Sequence, residues 1–217
     1  ISEETNKGFS LSTGPLLSIK LLKVEDQEHV LLITMHHIVS DGWSMSVLFK
    51  ELNSLYDSYS KGETNELIPL SIQYSDYSIW QRGWLQGEIL EQQLEYWKKQ
   101  LDGIPDLINL PTDKVRPKEL SYKGSFCTHY LSKEISNQLK SISDKEGVSL
   151  FMVLLSIFKI LLYKYSGEEN IVVGSPIANR HYRETEELIG FFVNTLVFRS
   201  KISGEKTFRR LLQEIKE

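Results

Sequence analysis

One stretch constrains this chain more than any other: Met35-His36-His37-Ile38-Val39-Ser40-Asp41-Gly42-Trp43-Ser44. It joins a short apolar run to a longer run of different periodicity. Val30 to Met35 is apolar at both parities, which suits a strand buried on both faces, although its length alone does not exclude a helix. From Trp43 to Tyr59 the apolar positions Met45, Leu48, Leu52, Leu55 and Tyr59 recur at helical spacing, and Ser60-Lys61-Gly62 supplies a stop. Asp41-Gly42 is therefore read as a strand-to-helix turn. Gly42 offers no Cβ where backbone or substrate must come close, and it reaches dihedrals that other residues disfavour. Neighbouring side chains of a strand point to opposite sides, so His36 and His37 are expected in different surroundings, with one of them the reagent.

A histidine ending such a strand has the chemistry of a general base, because a pKa of about 6.5 leaves a neutral ring able to accept a proton. The plainer alternative is a hydrogen-bonded core histidine. Asp41 would hold the turn by pairing with a buried cation, and would stay charged when so paired. A metal site is disfavoured, since adjacent strand histidines diverge and no Cys or Glu stands nearby at ligand spacing.

The remaining chain gives these two elements a setting. Its 217 residues, 41% hydrophobic, suffice for one large domain or two small ones. A net charge of −4 provides no electrostatic footprint for nucleic acid or an anionic membrane. The single cysteine, Cys127, excludes an internal disulfide and a multi-cysteine zinc site and fits a reducing cytoplasm. It is read as a small core residue. The chain begins at Ile1 with no signal sequence and reads as a segment of something longer.

Leu16 to Leu22, after the Gly14-Pro15 break, predicts a strand that Glu25 to Glu28 would turn back into the histidine strand as an antiparallel hairpin, with His29 facing solvent. Ser71 is a fair N-cap for a helix carrying Ile72, Tyr74, Tyr77, Trp80 and Trp84. Leu90, Leu94, Trp97 and Leu101 make a second helical stripe, ended by Gly103 and Pro105. Leu110 to Pro117 is proline-interrupted and aperiodic, the best boundary between halves.

Beyond it, Gly124 to Leu131 alternates like a strand, with His129 structural. Ser132 and Ser149 are placed to cap two helices, the first stopped by Gly147. The second, Leu150 to Tyr165, is apolar nearly all round; a membrane span needs about 20 apolar residues, and Lys159 and Lys164 interrupt this run, so a core helix is expected. Asn170 to Pro176 reads as a buried strand with Arg180 just after it, and Asn194-Thr195 sit between the apolar runs 191–193 and 196–198.

Met35 to Ser44 resembles the His-His-x-x-x-Asp-Gly signature of nonribosomal peptide synthetase condensation domains, shared with chloramphenicol acetyltransferase-like acyltransferases. Tyr74 to Trp80 and Ile189 to Arg199 resemble that family's next two core motifs, in the family's order. The resemblance implies an α/β (α+β sandwich) fold. It would comprise parts of two lobes, residues 1–112 and 113–217, with the active site in the cleft between them. It implies that His37 takes the acceptor amine's proton or holds the amine, that His36 packs behind it, and that Asp41 and Gly42 shape the turn. It also implies an Asp41–Arg180 ion pair, and a substrate channel touched by Trp43, Ser44, Asn194 and Thr195. The chemistry implied is amide formation between two thioesters borne on the phosphopantetheine arms of donor and acceptor peptidyl carrier proteins. An adenylation domain would adjoin in the same polypeptide, with no metal and no cofactor held directly. The histidine signature departs from the cyclisation subtype, and the wording around Met35 to Ser44 most resembles the subtype joining two L-configured residues. Alternatives on the same fold are a docking module without catalysis and acyl transfer to a hydroxyl or other small acceptor. The family domain extends beyond both ends of this sequence, so residues 1–217 alone are expected to be inactive and poorly stable.

Overall fold

The computed structural model describes residues 4, 8–64, 67–119, 121 and 124–217. Among them the order of elements is β1 (Leu17–Lys23), β2 (His29–Met35), a 3-10 turn (His37–Val39), α1 (Gly42–Ser60), α2 (Tyr74–Trp84), α3 (Gly87–Gln100), α4 (Lys133–Glu146), α5 (Leu150–Ser166), β3 (Asn170–Ile177), a second 3-10 turn (Arg183–Thr185), β4 (Asn194–Lys201) and α6 (Phe208–Lys216). The class is α+β, with β1–β2 and β3–β4 forming separate two-stranded sheets. The chain divides into two compact units, residues 1–93 with 176–196, and residues 94–175 with 197–217.

In the first unit the hairpin forms as its sequence predicts. Leu17 pairs with Met35, Leu21 with Leu31 and Lys23 with His29, and the Val24 N–H closes the turn on the Glu28 carbonyl at 2.9 Å. β2 is half-buried, however, not covered on both faces, and Ile19 and Leu21 of β1 are exposed. Apolarity at both parities records what a strand can bury; what it does bury depends on what packs against it. α1 turns Ser44, Val47 and Ser58 inward. α2 starts two residues later than the Ser71 cap predicts. Gln73 is its N-cap, because the Asp76 carboxylate three residues on accepts the Gln73 N–H at 2.8 Å. Tyr77 of α2 packs with Leu188 and Phe192, flanked by Ile72 and Tyr74, and this aromatic cluster is the unit's core.

In the second unit the caps fall where the sequence puts them. Ser132 accepts the Ile135 N–H and Ser149 the Met152 N–H, both at 3.2 Å, and Gly147 ends α4 in the left-handed region at φ 62°. Ile171, Ile202 and Leu211 form the core here, with Ile160 and Tyr163 of α5 against them. Three expectations fail. Residues 124–131 form no strand, since alternation needs a partner to bond to and none of the described strands pairs with them. Cys127 and His129, in that segment, are exposed, so neither is a core or structural residue. α5 buries one face, Val153, Leu155, Ser156 and Lys159, while Leu154, Phe158 and Leu161 are exposed. Among the described residues no single helix is long and apolar enough to cross a membrane.

Lys159, which in the sequence merely interrupts an apolar run, is only 1% exposed and donates to the Ser200 hydroxyl at 2.6 Å. Burial pulls its pKa down to about 8. The folded chain thus releases this proton before the unfolded chain does, whose lysines titrate near about 10.4. Stability should therefore rise with pH between those two values, because there the unfolded state binds more protons. Urea unfolding at pH 7.5 and pH 10 should show a smaller gain for Lys159→Met than for the native protein; equal gains would exclude Lys159 as the source.

Candidate active site around Asp41 and Arg180

The first histidine belongs to a turn rather than to the strand. β2 ends at Met35, and the His36 N–H still bonds across to the Leu16 carbonyl at 2.9 Å. His36 then caps the 3-10 turn, its Nδ1 accepting the Ile38 N–H at 3.0 Å. In the neutral ring the proton is accordingly on Nε2. His37 begins the turn itself. The two rings do meet different surroundings, His36 edge-on to Phe9 at 6.0 Å and His37 edge-on to Phe191 at 5.3 Å, so the divergence expected of a strand arises from a turn. His36 is half-buried and His37 exposed.

Asp41 is 4% exposed and caps α1. One carboxylate oxygen, Oδ1, accepts the Ser44 N–H and the Ser44 hydroxyl, each at 2.8 Å, and Nη2 of Arg180 at 3.3 Å; the other, Oδ2, accepts the Phe192 N–H at 3.0 Å. Burial alone would raise this carboxyl's pKa. The two Ser44 bonds, the Phe192 N–H and the Arg180 charge together outweigh it and hold Asp41 below the usual carboxylate value. So occupied a carboxylate is an anchor, not a base.

Arg180 is buried opposite it, with 1% of its side chain exposed. The preceding residue, Asn179, has φ 54°, a left-handed conformation that asparagine tolerates better than most residues. Beyond Asp41, the guanidinium donates to the Ser44 hydroxyl at 2.9 Å, to the Leu188 carbonyl at 2.8 Å and to the Thr185 carbonyl. Its Cζ stands 4.0 Å from the centre of the Phe192 ring, within cation–π reach. Among the described residues its Nε is the one buried guanidinium nitrogen without a hydrogen-bond partner.

The residues that the resemblance assigns to a substrate channel differ in how open they are. Ser44 is wholly buried; its Oγ is 2.8 Å from both Asp41 Oδ1 and the Gly190 carbonyl, and accepts the Gly190 N–H at 3.1 Å. It joins α1 to residues 188–192 and forms no channel wall. Trp43 is 45% exposed, with its indole N–H bonded to the Glu186 carbonyl at 2.8 Å. Asn194 and Thr195 are exposed at the start of β4, and the Asn194 side-chain oxygen accepts the Thr195 N–H at 2.8 Å. Gly42 is the first residue of α1, and a Cβ there would meet no described atom of the chain within 4 Å.

The crowded glycine is Gly190. A Cβ there would fall 2.2 Å from Cδ2 of Tyr74, whose hydroxyl donates to the Phe191 carbonyl at 2.8 Å. Nothing in local sequence marks this contact, because the two residues are far apart in the chain and the requirement belongs to their packing. Gly190→Ala should destabilise the fold by about 1–3 kcal/mol as an overpacked site. Gly42→Ala should stay within about 0.5 kcal/mol. Chemical denaturation of both variants checks the contrast, and equal midpoints would refute it.

Among the described residues no group of three or more His, Cys, Asp or Glu side chains is arranged to hold a metal ion. At the signature itself the geometry offers an exposed imidazole, His37, on a turn whose base is locked by the Asp41–Ser44–Arg180 network.

A family model described as Condensation domain matches residues 1–217. A component of the linear gramicidin synthase of Brevibacillus parabrevis is 52% identical over 99% of this chain, which spans 3% of that protein's length. Among solved structures, the X-domain from teicoplanin biosynthesis superposes with a TM-score of 0.90 at 25% identity, covering 99% of this chain and 49% of that one. The same X-domain in complex with OxyB superposes at 0.88 with 26% identity, covering 99% and 48%.

Proposed function

The chain belongs to the condensation-domain family, and from that membership we propose that it contributes to peptide-bond formation in a nonribosomal peptide synthetase. Donor and acceptor arrive as thioesters on the phosphopantetheine arms of two carrier proteins, one loaded with an aminoacyl or peptidyl group and the other with an aminoacyl group. The acceptor nitrogen attacks the donor carbonyl; a C–N bond forms, the C–S bond breaks, and the thiol leaves with the donor's carrier. His37 accepts the proton lost by the attacking amine, or holds that amine against the carbonyl. General-base help is worth about 10²–10⁴ in rate, and positioning contributes effective molarities of about 10⁵–10⁸ M. Both need a ring fixed in place but open to substrate.

The observation that carries this reading is the division of labour in the signature. Asp41 is buried and fully engaged, whereas His37 is exposed on the turn that Asp41 anchors. On the same reading residues 1–112 and 113–217 contribute to an N-terminal and a C-terminal lobe, the partly open Trp43 and the exposed Asn194 and Thr195 border the substrate, both joined residues are L-configured, and an adenylation domain adjoins. The cofactor chemistry belongs to the carriers.

A second reading, a docking module for another enzyme, is supported by the likeness to the X-domain in its complex with OxyB. The complete polypeptide, supplied with two loaded carrier proteins, separates the two. Mass spectrometry should find the dipeptidyl thioester on the acceptor carrier. Its absence, with both carriers loaded and the protein folded, would favour docking.

A further inference from the structure

The first unit contains a recess that the Asp41 network does not use. It encloses about 410 Å³, and its walls include Ile72, Tyr77, Trp80 and Tyr182, with the carboxylates of Asp76 and Glu184 beside them. Among the described residues no cationic side chain lines it. Trp80 and Tyr182 meet edge to face at 5.1 Å, and both remain substantially exposed, at 41% and 49%. Trp84 stacks on Trp80 at 5.6 Å and 11°, which fixes the plane of the indole before any ligand arrives. Such a recess disfavours anions, and a neutral apolar group would cover the Glu184 carboxylate without pairing it, while Asp76 already accepts the Gln73 N–H. A guanidinium satisfies both features, stacking on an aromatic face while its N–H fork reaches carboxylate oxygens.

A second cavity lies beside the recess, and Glu184 lines both. That cavity, of about 590 Å³, has Ile68, Pro69 and Leu70 along one side, with Ile68 89% exposed, and Glu51, Arg183 and the paired Lys50 and Glu187 along the other. An aromatic and acidic recess beside a cavity that presents the apolar run Ile68 to Leu70 along one side suits a chain segment better than a small free cation. We propose that this surface docks a segment of a partner protein that inserts one arginine among Trp80, Tyr182 and Glu184 and lays adjoining apolar side chains along Ile68 to Leu70.

The test uses the complete polypeptide and is independent of peptide-bond formation. Acetyl-Arg-Leu-Val-amide is titrated against the indole N–H signals in NMR, beside the same peptide with citrulline for arginine, and beside acetyl-Arg-amide. The arginine tripeptide should shift the Trp80 signal saturably, with affinity at least about fivefold above the citrulline peptide and above acetyl-Arg-amide, consistent with a charge-dependent contact plus apolar burial. Glu184→Gln, an exposed change, should weaken it by a similar factor. Equal binding of citrulline and arginine peptides, or no effect of Glu184→Gln, would overturn the proposal. Acetyl-Arg-amide binding as well as the tripeptide would overturn the polypeptide partner in favour of a small cation.

Discussion

His37→Ala should lower the rate of dipeptidyl thioester formation by about 10²–10⁴-fold while leaving the unfolding midpoint within about 0.5 kcal/mol of native. The two halves of that expectation rest on one feature. The His37 ring is exposed and touches the edge of Phe191, while the bonds that hold its turn come from elsewhere: the Val39 N–H to the His36 carbonyl at 3.1 Å and the Ile38 N–H to His36 Nδ1. Removing the ring therefore subtracts a reagent and little structure. His36→Ala should behave differently, since it deletes the turn's cap and costs about 0.5–2 kcal/mol in stability. Rapid-quench kinetics with loaded carriers, paired with denaturation, measures both quantities. A His37→Ala protein that is fully active would remove the imidazole from the reaction; one that is inactive because it is unfolded would move His37 into the scaffold.

Asp41→Ala should fail in the opposite way, losing about 3–5 kcal/mol of folding stability, the typical result of leaving a buried charge unpaired. Arg180 has almost no access to water, so without Asp41 its guanidinium would keep the Ser44 hydroxyl, two carbonyls and the Phe192 and Trp43 rings but no counter-charge. The Phe192 N–H and the first turn of α1 would lose their acceptor as well. Acid should act in the same direction. Because Asp41 titrates below the ordinary carboxylate value, its contribution is complete above about pH 4 and is lost as pH falls through its own lowered pKa. Asp41→Asn should flatten that part of the pH–stability curve, and an unchanged acid limb would place the acid sensitivity in other carboxylates.

The readable parts of this molecule were local. Helix spacing, serine caps and a polar turn between two apolar runs each act within a few residues, and α1, α4, α5 and the β1–β2 hairpin follow from them. The pairing of Asp41 with Arg180 came from family resemblance, not from spacing, since 139 residues separate the two. The burial of Ser44 is decided by residues 188–192, whose approach nothing in the local sequence announces. The same holds for Gly190 against Tyr74. Gly42 drew attention through its position in the signature, yet the crowding is at the other glycine. Alternation predicted a strand at 124–131 correctly as a pattern but not as a structure, because a ladder requires a second strand.

The span of the Asp41 network has a consequence for how the protein is made. Its Phe192 bond bridges 151 residues, and its Arg180 bond 139. During synthesis at about 5–20 residues per second, Asp41 emerges roughly 8–30 s before the residues that complete its shell. Through that interval α1 can form, capped by the aspartate, but the signature turn has no anchor from the far side. The histidine turn is thus assembled early and locked late, and a ribosome pausing between residues 41 and 192 would prolong exposure of an unpaired carboxylate and the apolar face around Val47. Slow codons in that interval would therefore be expected to raise the yield of misfolded nascent chain without changing a single amino acid.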